Sequence, residues 1–150
     1  NGASGIVDYA HSPDALTKAL KTCREMINEK SGGKSKLICV FGCGGDRDKE
    51  KRPIMGASAT MIADYVILTD DNPRTEKPER ILEDIYRGIP QEYKHKVLLL
   101  SNRHEAIAYG AGIAEKGDVL IVAGKGHEKY QIYGLKRMYF DDAEELSKFA

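Results

Sequence analysis

Short apolar runs alternate along the chain with longer segments in which apolar residues recur every three or four positions. The runs have the length of buried strands and lie at 5–9, 36–42, 65–69, 95–101 and 118–123. The segments between them have the period of helices. In the first helix the apolar stripe comprises Leu16, Leu20, Cys23 and Ile27. Strands that alternate with helices predict a Rossmann-like α/β fold, with an open, mostly parallel sheet and helices on both faces.

Capping signals indicate where several helices begin. Ser12 followed by Pro13 has the pattern of an N-cap and a first-turn proline. Pro53 is predicted to begin the second helix, and Thr75 is predicted to cap the third. The inner face of the second helix is predicted to comprise Ile54, Met55, Ser58, Met61 and Ile62. Segment 130–140 alternates around a glycine, which predicts a C-terminal antiparallel hairpin at the sheet edge, followed by a short helix.

Polar loops follow four of the five predicted strands. Their sequences, in chain order, are DYAHSPD, GCGGDRD, DDNPR and GKGHE. Because the carboxyl ends of parallel strands meet at one edge of a sheet, we expect these loops to converge there. Their mixture of carboxylates, amides, basic groups and glycines suits an anionic or zwitterionic ligand. It does not by itself identify a reaction.

The third of these loops carries complementary groups in a short turn. Asp70 or Asp71 can accept from an ammonium group, and Asn72 can both donate and accept. Arg74 offers a planar fork that matches a carboxylate or a phosphate. The same residues would also form an ordinary Asx turn that caps the next helix. The turn alone leaves both interpretations open.

The loop after the second strand is rich in glycine and flanked by basic residues. Glycines at 42, 44 and 45 would let backbone N–H groups approach an anion, so we favour anion binding. The alternative is a solvated charged loop. The sequence is neither a Walker A motif nor G-x-G-x-x-G. The basic residues nearby are Arg47, Lys49, Lys51 and Arg52, and Lys125 lies in the fifth-strand loop.

Composition narrows the classes of protein that the chain can represent. The 150 residues predict one domain, and 23 basic residues balance 23 acidic ones. This balance argues against a nucleic-acid-binding or membrane-surface protein. No apolar run is long enough to span a bilayer, and no signal peptide is predicted. Three cysteines, Cys23, Cys39 and Cys43, without C-x-x-C spacing favour structural thiols, no metal site and a cytoplasmic location.

Four motifs in fixed order resemble a known family. DYAHSPDAL, FGCGGDRDKEKRP, TDDNPR and AGKGHEKYQ are similar to the C-terminal domain of the Mur ligases, over about residues 5 to 142. The closest resemblance is to the type that adds the third residue of the peptidoglycan stem peptide. It implies that residues 1–150 form the amino-acid-binding domain of a three-domain enzyme. The UDP-sugar and central ATPase domains are absent from this chain, which we expect to be inactive alone.

The resemblance also implies a reaction. In the family, ATP with Mg²⁺, bound mainly by the central domain, phosphorylates the D-glutamyl carboxylate of UDP-MurNAc-L-Ala-D-Glu, and an amino acid's amine attacks the acyl phosphate. DNPR is the family's signature for meso-diaminopimelate. Matched motif by motif, the contacts to meso-diaminopimelate are expected from Arg47, Asp71, Asn72, Arg74, Gly124 and Glu128. Asp8 and His11 are expected on the nucleotide side.

Three alternatives remain open at this point. An L-lysine-adding ligase of the same family would leave Arg74 without its carboxylate partner. A non-catalytic module could bind an amino acid or a phosphate with the same loops. A nicotinamide-dependent oxidoreductase is disfavoured, because the chain lacks G-x-G-x-x-G and an acidic residue at the end of the second strand. Glu50 departs from the family pattern and places a negative charge beside the glycine-rich loop.

Overall fold

The structure is a computed structural model that describes residues 2–149. Five strands form one parallel sheet: β1 (Ser4–Asp8), β2 (Leu37–Phe41), β3 (Tyr65–Leu68), β4 (Val97–Leu99) and β5 (Val119–Ala123). Their order across the sheet is β1-β5-β2-β3-β4. The predicted Rossmann-like α/β fold is therefore confirmed, and all five predicted strands are present.

Helices pack on both faces of this sheet. They are α1 (Pro13–Ser31), α2 (Lys51–Ile62), α3 (Pro78–Arg87), α4 (Arg103–Ile113) and α5 (Asp142–Ser147), with a short 3-10 helix (Gln91–Lys96) before β4. The first three helices and alternate residues of β2, such as Cys39, form one core. The other core lies between α4 and the opposite face of β2, at Ile38 and Val40. No helix within residues 2–149 has the length and apolar content needed to cross a bilayer.

The first helix follows the sequence prediction in detail. Its buried residues are Leu16, Leu20, Cys23 and Ile27. The Ser12 hydroxyl accepts from the Ala15 N–H at 3.2 Å, as an N-cap does. The helix ends at Gly32, which has a left-handed φ of 65°.

The predicted inner face of α2 is confirmed at Met55 and Ile62, which belong to or pack against the core, but is wrong at Ile54 and Met61. The helix begins at Lys51 rather than Pro53, and Ile54 and Met61 are exposed. Its buried residues are Arg52, Met55, Gly56, Ala59 and Thr60. A β-carbon on Gly56 would lie 2.3 Å from the Ile85 carbonyl oxygen, so the small residues face α3. This close approach and the buried ion pairs of Arg52, rather than the pattern of apolar residues, determine which face of the helix is buried.

Two further expectations are corrected. Thr75 does not cap α3, which begins at Pro78, because its hydroxyl donates to the Asp46 carboxylate at 2.7 Å. The C-terminal hairpin is present as β6 (Tyr130–Tyr133) and β7 (Lys136–Tyr139), but it forms a separate two-stranded sheet. Its first strand instead contacts the loop after β3, through a parallel bridge between Arg74 and Tyr133. The hairpin thus supports the backbone of the turn that carries Arg74.

Candidate functional site

The loops after β1, β2, β3 and β5 enclose a groove of about 420 Å³ at the carboxyl edge of the sheet. Its lining comprises Tyr9, His11, Gly44, Arg47, Asp48, Lys51, Asp71, Asn72, Arg74, Gly124 and Glu128. The structure therefore brings together all six residues expected to contact diaminopimelate, and also His11. Asp8 does not line this groove. The expected roles of these residues remain predictions.

Asp8 lies beside the groove and joins two of its loops. Its carboxylate accepts from the Ala10 N–H at 2.8 Å. Its carbonyl accepts from the N–H groups of Gly124 and Gly126 at 3.0 and 3.1 Å. The adjacent Tyr9 ring packs edge-on against the His11 ring, with centroids 4.9 Å apart. Asp8 thus fixes the loop after β1 to the loop after β5.

The glycine-rich loop packs directly on the turn after β3. A β-carbon on Gly42 would lie 1.9 Å from the Thr69 carbonyl oxygen, and one on Gly45 would lie 1.8 Å from that of Pro73. The Gly45 N–H donates to the Asn72 carbonyl at 2.8 Å. These two glycines are therefore required by contact between the loops, so they are no independent signal of anion binding.

Arg74 adopts an uncommon backbone conformation, with a φ of 54°. Its N–H donates to the Ile132 carbonyl at 3.0 Å, and its carbonyl accepts from the Gly134 N–H at 2.6 Å. These bonds to the hairpin offset a backbone strain of roughly 1–3 kcal/mol. One guanidinium nitrogen donates to the Gly45 carbonyl at 3.0 Å. The half-buried guanidinium has further N–H donors at the groove.

The two aspartates of the turn have different environments. Asp71 lines the groove, whereas Asp70 does not. The Asp70 carboxylate accepts from the Ser101 hydroxyl at 2.8 Å and from the Tyr133 hydroxyl at 2.6 Å. Burial raises the pKa of Asp70, and these two hydrogen bonds oppose that shift. Asp71, rather than Asp70, is therefore the carboxylate placed to accept from a ligand.

Asn72 is held from behind by a buried lysine. The Asn72 side-chain oxygen accepts from the Lys125 ammonium at 2.8 Å and from the Ile132 N–H at 3.0 Å. The ammonium also donates to the Tyr130 carbonyl at 2.7 Å. Lys125 is completely buried. This could not be inferred from the sequence, because a lysine between two glycines is usually exposed.

The basic residues near the glycine-rich loop serve different roles. Arg52 is fully buried and donates to Glu76 at 2.7 Å, to Asp84 at 3.0 Å and to the Gly44 carbonyl at 3.0 Å. Its guanidinium lowers the pKa of Glu76 to about 2. Lys51 lines the groove and donates to the His11 carbonyl at 2.7 Å. Arg52 thus supports the loop and is closed to a ligand.

A second buried arginine supports the groove and was missed by sequence reasoning. The Arg103 guanidinium pairs with Asp142 at 2.7 Å, and both side chains are fully buried. It also donates to the carbonyls of Asp70 and Ala123, at the ends of β3 and β5. The sequence does not reveal this pair, since the partners are 39 residues apart. Within residues 2–149, no group of three or more His, Cys, Asp or Glu side chains is arranged to hold a metal.

Comparison with known proteins identifies two relatives that are about half identical to this chain. A ligase from Thermosynechococcus vestitus named UDP-N-acetylmuramoyl-L-alanyl-D-glutamate--2,6-diaminopimelate ligase is 52% identical over 93% of this chain. A Clostridium acetobutylicum relative, which has the same name followed by the number 1, is 49% identical over 96% of the chain. The chain spans only 27% and 28% of the length of these relatives.

Solved structures agree with this relationship. A structure of a ligase with the same name has a TM-score of 0.90 and 44% identity, over 99% of this chain and 29% of the other. Similarity in fold alone extends to a Yersinia pestis folylpolyglutamate synthase/dihydrofolate synthase complexed with AMPPNP and Mn ion. The TM-score is 0.55 and the identity 18%, over 80% of this chain and 25% of the other. The family model described as Mur ligase, glutamate ligase domain matches residues 1–126, so the chain belongs to that family.

Proposed function

We propose that this chain is the amino-acid-binding domain of an ATP-dependent ligase that adds meso-diaminopimelate to UDP-MurNAc-L-Ala-D-Glu in peptidoglycan synthesis. One observation carries the proposal: a single groove is lined by the donors of Arg47, Asn72 and Arg74 and by the acceptors of Asp71 and Glu128. The names of the most similar relatives support it. Because the chain spans 27–29% of their length, the UDP-sugar and ATPase functions are assigned to other parts of the protein.

The ligand has a carboxylate and an ammonium group at each end, so it needs donors and acceptors in pairs. In our proposal Arg74 and Asn72 bind the distal carboxylate. The Gly124 carbonyl and the Glu128 carboxylate accept from the distal ammonium. Arg47 binds the carboxylate at the reacting end, and Asp71 accepts from an ammonium group. The domain thereby orients the amine that forms the new amide bond.

Arg74 makes the site selective between two related amino acids. L-lysine lacks the distal carboxylate, so its binding would leave a half-buried guanidinium without its partner. The missing hydrogen bond to a charged group would make L-lysine the poorer substrate by about 10–100-fold. This favours the diaminopimelate-adding ligase over the lysine-adding one.

The nucleotide is proposed to bind beside the same groove. His11 and Lys51 line this groove, and Asp8 fixes the loop that carries His11. ATP supplies the phosphoryl group of the acyl phosphate when it is bound. We assign Mg²⁺ mainly to the part of the protein outside this chain, as the resemblance to the Mur ligases implies. The three free, buried cysteines support a cytoplasmic enzyme.

The proposal is tested with the full-length protein that carries this chain. We expect the unaltered enzyme to add meso-diaminopimelate and to discriminate against L-lysine. Arg74→Ala should lower the ratio of the two kcat/KM values by about 10–100-fold. The control is Arg80→Ala, at an exposed position in the first turns of α3, which should leave the ratio unchanged.

Two results would contradict the proposal. Preference of the unaltered enzyme for L-lysine, with no effect of Arg74→Ala, would identify the lysine-adding ligase. Binding of either amino acid without amide formation, with ATP and UDP-MurNAc-L-Ala-D-Glu present, would identify a non-catalytic binding module.

A further inference from the structure

The Lys125 ammonium lies behind the groove and is saturated by protein acceptors. It is 2.8 Å from the Asn72 side-chain oxygen, 2.7 Å from the Tyr130 carbonyl and 3.3 Å from an Asp71 carboxylate oxygen. The ammonium donates to the Asn72 oxygen and to the Tyr130 carbonyl, and the Asp71 carboxylate pairs with its charge. The Glu128 carboxylate, at 3.7 Å, is beyond hydrogen-bonding distance. With its side chain fully buried and its charge paired with Asp71, Lys125 is closed to a phosphate.

The contact between Lys125 and Asn72 fixes the direction of a side-chain amide. The Asn72 oxygen accepts from two donors, the Lys125 ammonium and the Ile132 N–H. If the amide were turned over, its NH₂ group would face those two donors, and both hydrogen bonds would be lost. The observed orientation leaves the NH₂ group without a hydrogen bond to any residue in 2–149, and Asn72 lines the groove.

We infer that Lys125 is a positioning and specificity-determining residue, which holds the Asn72 amide so that the groove presents an N–H donor to the ligand. A donor at this point selects a carboxylate and rejects an ammonium group. The identity of the ligand, meso-diaminopimelate, rests on the function proposed above. The role of Lys125 rests on the contacts described here.

The local charges are consistent with a lysine that stays inside the protein. Burial lowers the pKa of Lys125, and the Asp71 carboxylate opposes this shift. Asp71 and Glu128 face the ammonium from two loops, and Arg103 is the cation that faces it from α4. The Tyr130 ring lies 5.6 Å from the ammonium. These groups compensate the buried charge without a ligand.

The test uses kinetics of the full-length ligase. Lys125→Met removes the donors but keeps a long side chain. We expect it to raise KM for meso-diaminopimelate by about 10–100-fold, since one hydrogen bond to a charged group is lost. The KM for ATP and kcat at saturating amino acid should be unchanged, because the contact is remote from the reacting amine. The matched control is Lys129→Met, at an exposed position of the same loop.

A double-mutant cycle separates positioning from general damage to the fold. If Lys125 acts through Asn72, Lys125→Met should change KM less than about 3-fold in an Asn72→Ala background. The cycle is repeated with Lys125→Gln, which keeps an N–H donor on a shorter side chain, so that the test does not depend on the folding of one variant. Independent, multiplicative effects of the two substitutions would overturn the inference.

Two further outcomes are decisive. A rise in KM for ATP, with KM for meso-diaminopimelate unchanged, would show that Lys125 binds phosphate and would overturn the inference. Failure of the unaltered enzyme to add meso-diaminopimelate would overturn the proposed function instead. An active unaltered enzyme with multiplicative effects would refute only the role of Lys125, so the two failures are distinguishable.

Discussion

Gly45→Ala should damage the groove through a single added methyl group. The new β-carbon would lie 1.8 Å from the Pro73 carbonyl oxygen. Since real contacts of this kind do not fall below 3.0 Å, the two loops must separate by about 1 Å. Two hydrogen bonds cross this contact: the Gly45 N–H donates to the Asn72 carbonyl, and Arg74 donates to the Gly45 carbonyl.

The size of the effect follows from these contacts. Forcing a methyl group into a packed site costs about 1–3 kcal/mol. Weakening two hydrogen bonds adds roughly 1–2 kcal/mol. We therefore expect the free energy of unfolding to fall by about 2–5 kcal/mol. For a chain of this size, about 2–4 °C per kcal/mol gives a fall in Tm of roughly 4–20 °C.

The assay is urea and thermal unfolding of this chain, followed by circular dichroism. Gly112→Ala is the matched control, because Gly112 lies in α4 and a β-carbon there would meet nothing within 4 Å. Alanine is a better helix former than glycine, so the control should gain about 0.5–1 kcal/mol. If Gly45→Ala lost less than about 0.5 kcal/mol, the close contact between the two loops would be refuted.

Three further predictions concern buried charges and thiols. Asp142→Ala leaves the Arg103 charge buried and unpaired, so the free energy of unfolding measured in urea should fall by about 3–5 kcal/mol. The double substitution of Arg103→Met with Asp142→Leu should lower it by less, and equal losses would contradict this reasoning. The folded pKa of Glu76 is about 2, so its stabilisation is complete above its unperturbed pKa of 4.5 and is lost as the pH falls towards 2. The difference in unfolding free energy between the unaltered chain and Glu76→Gln should therefore shrink from pH 4.5 to pH 2, and a constant difference would refute the assignment. Burial raises the pKa of Cys43 to about 12, so a thiol reagent at pH 8 should label it only after unfolding, and rapid labelling of the native chain would show the site to be open.

The fold could be predicted because its determinants are local and repeated. The α1 stripe and the Ser12 cap depend on residues within one or two turns, so the sequence displays them directly. The orientation of α2 could not be predicted, because it depends on the partners of Arg52, which are 24 and 32 residues away. Thr75 fits the pattern of a cap, but a carboxylate from another loop takes its hydroxyl. Periodicity contains no information about such distant partners.

The candidate site, like the fold, could be predicted from the sequence only in part. The sequence predicted which loops converge, because the carboxyl ends of parallel strands must share an edge. The residue types of the turn did not decide between Asp70 and Asp71, whereas the family resemblance selected Asp71, which lines the groove. That distinction depends on Ser101 and Tyr133, which lie on other elements and satisfy Asp70. The supporting lysine and arginine residues were missed for the same reason, since a buried cation differs from an exposed one only by its partners.

The glycine-rich loop and the turn after β3 are best understood as one structural unit. As separate motifs, the first suggests a phosphate cradle and the second a cap. In the structure, Gly42 and Gly45 leave room for the backbone of the turn, and the turn in return supplies a carbonyl acceptor to the loop. The packing that requires glycine therefore also sets the position of Arg74 relative to the groove. Ligand selectivity at Arg74 and stability at Gly45 should consequently change together when this contact is altered.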